Sequence, residues 1–114
     1  MRKLAKTFQA LSDTNRIRIL KMLEVRPLCV CEITEILKLA NSTVSKHLSI
    51  LRETEFILDE KDGKWVNYFL NKSIRNGYVS ELLPIVSEWL PDDRIVREDR
   101  KKVKSVDRNI ICKS

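Results

Sequence analysis

Glycine, proline and aromatic side chains are scarce in this chain, which holds two glycines and three prolines and is 6% aromatic. With so few helix breakers, helix is expected to dominate, with only a small amount of strand. Histidine occurs once, as His47, which argues against a zinc site of the Cys2His2 or His-rich type on one chain. No apolar run approaches the ~20 residues that a spanning helix needs. Near the N-terminus Lys6, Gln9 and Ser12 interrupt any apolar signal core. These shortages predict a soluble, cytoplasmic protein with no membrane partner. The cysteine count is odd, at three. Without an export signal, that favours reduced thiols or metal ligands over a disulfide framework.

What the chain does hold is charge and a modest apolar fraction. Its 114 residues suit one domain, and 43% hydrophobic content argues against disorder. A net charge of +6 and a pI near 9.4 favour polyanionic partners, with nucleic acid first and anionic membrane surfaces second. We place the structured domain at residues 1–91, with a basic C-terminal tail over 92–114 that either forms one more solvated helix or stays loose.

Periodicity gives the order of elements. Leu4, Phe8 and Leu11 share one face of a first helix over about Lys3–Leu11. Ser12 or Asp13 caps a second helix, which carries Ile17, Leu20 and Leu23 through about Glu24. A third, over about Val30–Lys38, buries Ile33, Ile36 and Leu37, and a tight link leads to a fourth with Asn41 or Ser42 as N-cap. In that fourth helix Val44, Leu48 and Leu51 line one side, while Ser42, Ser45, Lys46 and Ser49 cluster on the other. Two short helices joined this closely, the second with a free polar face, have the pattern of a helix-turn-helix.

The period then changes from helix to strand. Residues 56–61 and 64–70 alternate around Asp62-Gly63, which predicts a β-hairpin with a type I′ turn, the wing. A last helix is expected over about Ile74–Leu90, weakened by Gly77 and Pro84, with Tyr78, Leu82, Ile85, Val86 and Trp89 as an apolar band. That band, together with the first helix, suits a homodimer interface. The predicted fold is therefore mainly α with a β-hairpin wing, a dimeric winged helix-turn-helix.

Two constellations carry chemistry. Insertion of the fourth helix into a major groove brings Asn41, Ser42, Thr43, Ser45 and Lys46 to base edges or phosphates of double-stranded DNA, with Lys61 and Lys64 of the wing on the adjacent backbone. A solvated polar face is the bland alternative, against which stand the helix order, the wing and the basic charge. His47 lies at the margin of the apolar face, and reads as a hydrogen-bonded, partly buried histidine or as a phosphate contact.

The second constellation is Leu28-Cys29-Val30-Cys31-Glu32. Thiolates select thiophilic ions, and a helix N-terminus lowers a thiol's pKa, so this pair is expected to be partly ionised. Taken singly, each cysteine also fits as a small core residue. Residues two apart on a helix face nearly opposite ways, so a shared ion has to distort the first turn of the third helix. Such a distortion tilts the recognition helix and weakens DNA binding.

Four segments carry a family resemblance: residues 8–20, 28–33, 44–53 and 63–68. In their order and spacing the chain resembles the ArsR/SmtB family over about residues 5–90. The resemblance implies a dimeric winged-helix repressor that leaves operator DNA when a metal or metalloid binds. The Cys-Val-Cys segment is similar to the branch that senses arsenite and antimonite, which implies As(III) or Sb(III) as inducer, no resident cofactor, and Cys29 and Cys31 as ligands. Where that branch has another cysteine, this chain has Thr34, so Cys112 of its own or the partner chain is the candidate third ligand; otherwise a small thiol or water completes the site. Zinc-sensing members use Asp and His on the last helix, and no histidine follows His47 here. The same fold with a different input, whether another thiophilic metal or a thiol redox state, is the nearest alternative. An oxidoreductase is disfavoured because Cys-x-Cys lacks Cys-x-x-Cys geometry and has no nearby acid-base partner. Neither enzymatic activity nor a small-molecule substrate is expected. A winged helix that binds protein instead of DNA would lack a steep salt dependence.

Overall fold

A computed structural model describes residues 1–73, 75 and 77–112. The elements run α1 (Arg2–Ala10), α2 (Thr14–Leu23), β1 (Leu28–Cys29), α3 (Val30–Leu37), α4 (Asn41–Glu53), β2 (Ile57–Asp62), β3 (Trp65–Leu70), α5 (Tyr78–Glu88), α6 (Arg94–Ser105) and α7 (Arg108–Ile111). Helices dominate, and the strands form one antiparallel sheet in the order β1-β3-β2. This is the expected winged helix-turn-helix architecture. Among the described residues no helix is long and apolar enough to cross a membrane.

The helix-turn-helix follows the periodicity closely. Ile33, Ile36 and Leu37 of α3 and Val44, Leu48 and Leu51 of α4 are all buried in one core with Leu20, Leu23, Leu28, Phe56 and Ile57. Asp13 caps α2, its Oδ1 accepting from the backbone N–H of Asn15 at 2.8 Å and of Arg16 at 3.2 Å. Burial acts to raise the Asp13 pKa, but these two N–H donors and the nearby His47 and Arg16 hold it below the usual carboxylate value. Lys38 ends α3 in a left-handed conformation with φ 58°, which turns the chain toward α4.

Several expectations change in the folded chain. In α2 the buried side chains include Ile19, Lys21 and Met22, while Ile17 is only half-buried. In α1 the predicted stripe splits: Leu4 and Leu11 are half-buried, with Leu11 packed on the core, Phe8 stays 53% exposed, and Thr7 and Ala10 are the buried residues. The N-cap of α4 is Ala40 rather than Asn41 or Ser42, and it supplies no side-chain acceptor. The wing turns one residue later than Asp62-Gly63, because Asp62 pairs with Trp65 and leaves Gly63-Lys64 at the tip. Gly63 takes φ +61° and Lys64 does not share a positive φ, the pattern of a II′ turn, which favours glycine at its first central position. The two-residue strand β1 is an addition: Leu28 pairs with Tyr68 and Cys29 with Asn67.

Near the C-terminus, α5 starts at Tyr78 behind Gly77 and runs through Pro84. Ile74, the expected first residue of that helix, lies outside the described residues. Residues 92–112 are neither loose nor merely solvated. In α6, Val96, Asp99 and Val103 are buried, and Val103 joins the core. Arg18 of α2 donates to both oxygens of Asp99, at 2.8 and 2.9 Å. Arg26 reaches the carbonyls of Val103 and Val106 as well as the Glu32 carboxylate.

Candidate functional site

The exposed side of α4 is built as its pattern suggests. Asn41, Ser42, Thr43, Ser45, Lys46 and Ser49 are exposed, while Val44 and Leu48 behind them are buried. Because Ala40 caps nothing with its side chain, the first-turn N–H groups of α4 have no side-chain cap among the described residues. Uncapped N–H groups and the positive end of the helix dipole suit a phosphate oxygen. The wing tip presents Lys61 and Lys64, both exposed, and the Lys64 ammonium lies 4.7 Å from the Trp65 ring centroid.

His47 does not share this surface. Its side chain is 13% exposed, and Arg16 Nη1 donates to Nδ1 at 3.1 Å. Arginine only donates, so Nδ1 is the acceptor in this contact, with Nε2 4.0 Å from Asp13 Oδ1. Arg16 also donates to the carbonyls of Gln9 and Ala10. The histidine thus ties the recognition helix to the α1–α2 corner, the hydrogen-bonded, partly buried arrangement.

The thiols occupy the joint between sheet and helix-turn-helix. Cys29 ends β1 and is the N-cap of α3, buried at 1% exposure, with its backbone N–H donating to Glu32 Oε1 at 3.0 Å. Burial is the main cause of a raised Cys29 pKa, and the Glu32 carboxylate adds to it against the opposing N–H groups of Glu32 and Cys31. The helix-terminus argument for a partly ionised thiol fails at Cys29, because desolvation outweighs the dipole. In a Cys31→Ser/Cys112→Ser background, iodoacetamide should therefore alkylate Cys29 of the folded protein at least ~10-fold more slowly than in the urea-unfolded chain at neutral pH, and faster as pH rises. Equal rates would mean an accessible thiolate.

Cys31 and Cys112 are joined as a disulfide, their Cα atoms 5.9 Å apart. This corrects the expectation of unpaired thiols, because α6 and α7 carry the chain back across α3 and deliver Cys112 to its first turn. Among the described residues no group of three or more His, Cys, Asp or Glu side chains is arranged to hold a metal ion. Cys29 lies inward and Cys31 faces α7, so the three sulfurs do not converge in this arrangement.

The folded chain also brings in a residue that no sequence motif announces. Arg108 on α7 donates to Asn67 Oδ1 at 2.9 Å and to Asp62 Oδ2 at 2.6 Å, and its guanidinium lies 4.3 Å from the Trp65 centroid. These bonds hold the Asp62 carboxyl below its ordinary pKa. Lone basic residues in a basic tail give no sequence signal of such a contact.

Residues 13–58, the helix-turn-helix and the first wing residues, match the family described as bacterial regulatory protein, arsR family. The chain is 33% identical over 106 residues to the arsenical resistance operon repressor of Escherichia coli (strain K12), covering 90% of this chain and 80% of that protein. The chain belongs to the arsR family. A second relative, the arsenical resistance operon repressor of Bacillus subtilis (strain 168), is 40% identical over 84 residues, which cover 73% of this chain and 80% of that one. Among solved structures, reduced HlyU from Vibrio cholerae N16961 superposes with a TM-score of 0.62 at 27% identity, covering 75% of this chain and 85% of that chain.

As a member of the arsR family, the protein is a DNA-binding transcriptional regulator. Its surface also carries an apolar area over α1 and α5: Phe8 and Trp89 are each 53% exposed, Ile85 43% and Tyr78 40%. The predicted α5 band divides here, since Val86 is buried and Leu82 packs on the core.

Proposed function

We propose that this arsR-family protein is a cytoplasmic, homodimeric repressor that holds double-stranded operator DNA and leaves it when As(III) or Sb(III) binds Cys29 and Cys31, with Cys112 as a third thiolate. The observation that carries this reading is the location of the two cysteines: they bracket the first turn of α3, and α3 packs directly on α4. DNA contacts are assigned to Asn41, Ser42, Thr43, Ser45 and Lys46 on α4, with Lys61 and Lys64 on the wing. The paired apolar faces of α1 and α5 form the dimer contact and double the DNA surface.

Soft thiolate donors suit a trivalent metalloid. Cys31 and Cys112, once reduced, are already close enough to share one ion, whereas Cys29 is turned into the core. Recruiting Cys29 therefore requires its sulfur to leave its capping position and the first turn of α3 to unwind. Because Ile33, Ile36 and Leu37 lock α3 against α4, that motion shifts the recognition helix. A coupling free energy of ~1–3 kcal/mol, a 5–150-fold loss of DNA affinity, is the expected size.

The Cys31–Cys112 disulfide favours a second reading, in which the same pair senses thiol oxidation by passing two electrons and two protons to an oxidant. Fluorescence anisotropy on DNA from upstream of the gene separates the two. Arsenite is expected to release the reduced wild type and to leave a Cys29→Ser/Cys31→Ser variant bound. Release by a disulfide oxidant but not by arsenite would make the redox reading the correct one, and release by cadmium or copper(I) alone would replace the inducer.

A further inference from the structure

For a surface that meets phosphates, the wing tip has an electrostatic defect, because Asp62 stands between Lys61 and the turn residue Lys64. An uncompensated carboxylate there opposes both lysines where they meet the nucleic acid, whose charge density is one negative charge per ~1.7 Å. The chain meets this from a distant part of its sequence. Arg108 closes on Asp62 Oδ2 and Asn67 Oδ1 while lying over the Trp65 ring, so it grips both strands of the hairpin. Its helix α7 is itself seated against α3 and tethered there through Cys112. Asn67, moreover, is the ladder partner of Cys29, so Arg108 touches the wing at the strand residue that faces the thiol segment.

We propose that Arg108 is a positioning residue for DNA binding, which neutralises Asp62 and holds the wing tip so that Lys61 and Lys64 meet the phosphates unopposed. The inference rests on the reading that the wing touches DNA. The pair is specific in geometry. Asn67 donates to Asp62 Oδ2 at 3.3 Å and accepts from Arg108, so the carboxylate, amide and guanidinium form a closed set of bonds. The neighbouring acid Glu60 is exposed and has no such partner among the described residues, and Asp59 is bound instead to Arg52. Loss of Arg108 therefore bares one particular carboxylate at the tip.

The test is binding of the full-length protein to a random-sequence 30-bp duplex at low salt, where phosphate contacts dominate. Arg108→Ala is expected to bind about fivefold more weakly, with a shallower salt dependence and a thermal midpoint close to wild type. Adding Asp62→Asn to Arg108→Ala should restore affinity, because the bared charge is gone. Adding Glu60→Gln instead gives the same net charge and should restore little. If Arg108 were itself a phosphate contact, Asp62→Asn would not rescue. Equal rescue by both substitutions would reduce the effect to net charge. Either outcome overturns the proposal, as does wild-type affinity in Arg108→Ala. A Lys61→Ala/Lys64→Ala variant that binds like wild type would take the wing off the DNA and remove the reading on which the proposal rests.

Discussion

A Ser42→Glu/Ser45→Glu variant is expected to lose at least ~100-fold in DNA affinity while unfolding at nearly the wild-type temperature. Both serines are exposed on α4. Their replacement leaves Val44, Leu48 and Leu51 untouched in the core. Helix stability changes little, since glutamate is a good helix former and suits a first turn that the dipole makes positive. The new carboxylates would face phosphates at the site where the uncapped N–H groups of α4 now offer hydrogen bonds. Each lost base-edge contact costs ~1–3 kcal/mol, and two introduced repulsions compound the loss. Anisotropy and a thermal melt on the same sample decide the matter. An unchanged affinity would move the interface off α4.

The second large effect is on stability. Ending the chain after Pro91 is expected to cost ~4 kcal/mol or more and to lower the melting temperature by at least ~15 °C, if the remainder folds at all. Val96 is 3% exposed and Val103 0%, and burying each such side chain is worth ~1.5–3 kcal/mol. Truncation also strips Arg18 of Asp99, whose side chain is 3% exposed, and removes the Val103 and Val106 carbonyls that Arg26 holds. Domains of this size have only ~5–15 kcal/mol in total, so the loss is a large share. A calorimetric scan of residues 1–91 beside the full chain checks it. A midpoint within a few degrees of wild type would make α6 a solvated appendage.

The parts of the fold that were readable in sequence are those governed by near neighbours. The α2 cap at Asp13, the buried faces of α3 and α4, and the alternation of the wing depend on residues within a few positions of one another. Misreadings arose where a longer-range choice decided between local options. Both Asp62-Gly63 and Gly63-Lys64 can turn a hairpin, and the pairing of Asp62 with Trp65 selects the second. The stripe of Leu4, Phe8 and Leu11 looks like a core face, yet α1 docks through Thr7 and Ala10 and leaves Phe8 outward. A two-residue strand such as β1 has no period to read.

Chemistry divided along the same line. The exposed polar side of α4 follows from periodicity, because the buried side is legible and the other must face away from it. The presence of two thiols at the start of α3 is likewise a property of the sequence. Their ionisation is not: burial of Cys29 reverses the shift that a helix terminus alone would impose. Nor is the partner of Cys31, or the role of Arg108, or the turning of His47 toward Asp13 and Arg16. What this chain determined by itself was its helix-turn-helix, its wing and the residue types offered to DNA and to soft ions, since periodicity and spacing are local. The tertiary structure alone decided that a charged tail folds back, buries Val103 and sets Arg108 on the wing, because those contacts join residues far apart in sequence, and no local pattern encodes which of many surface cations will be held.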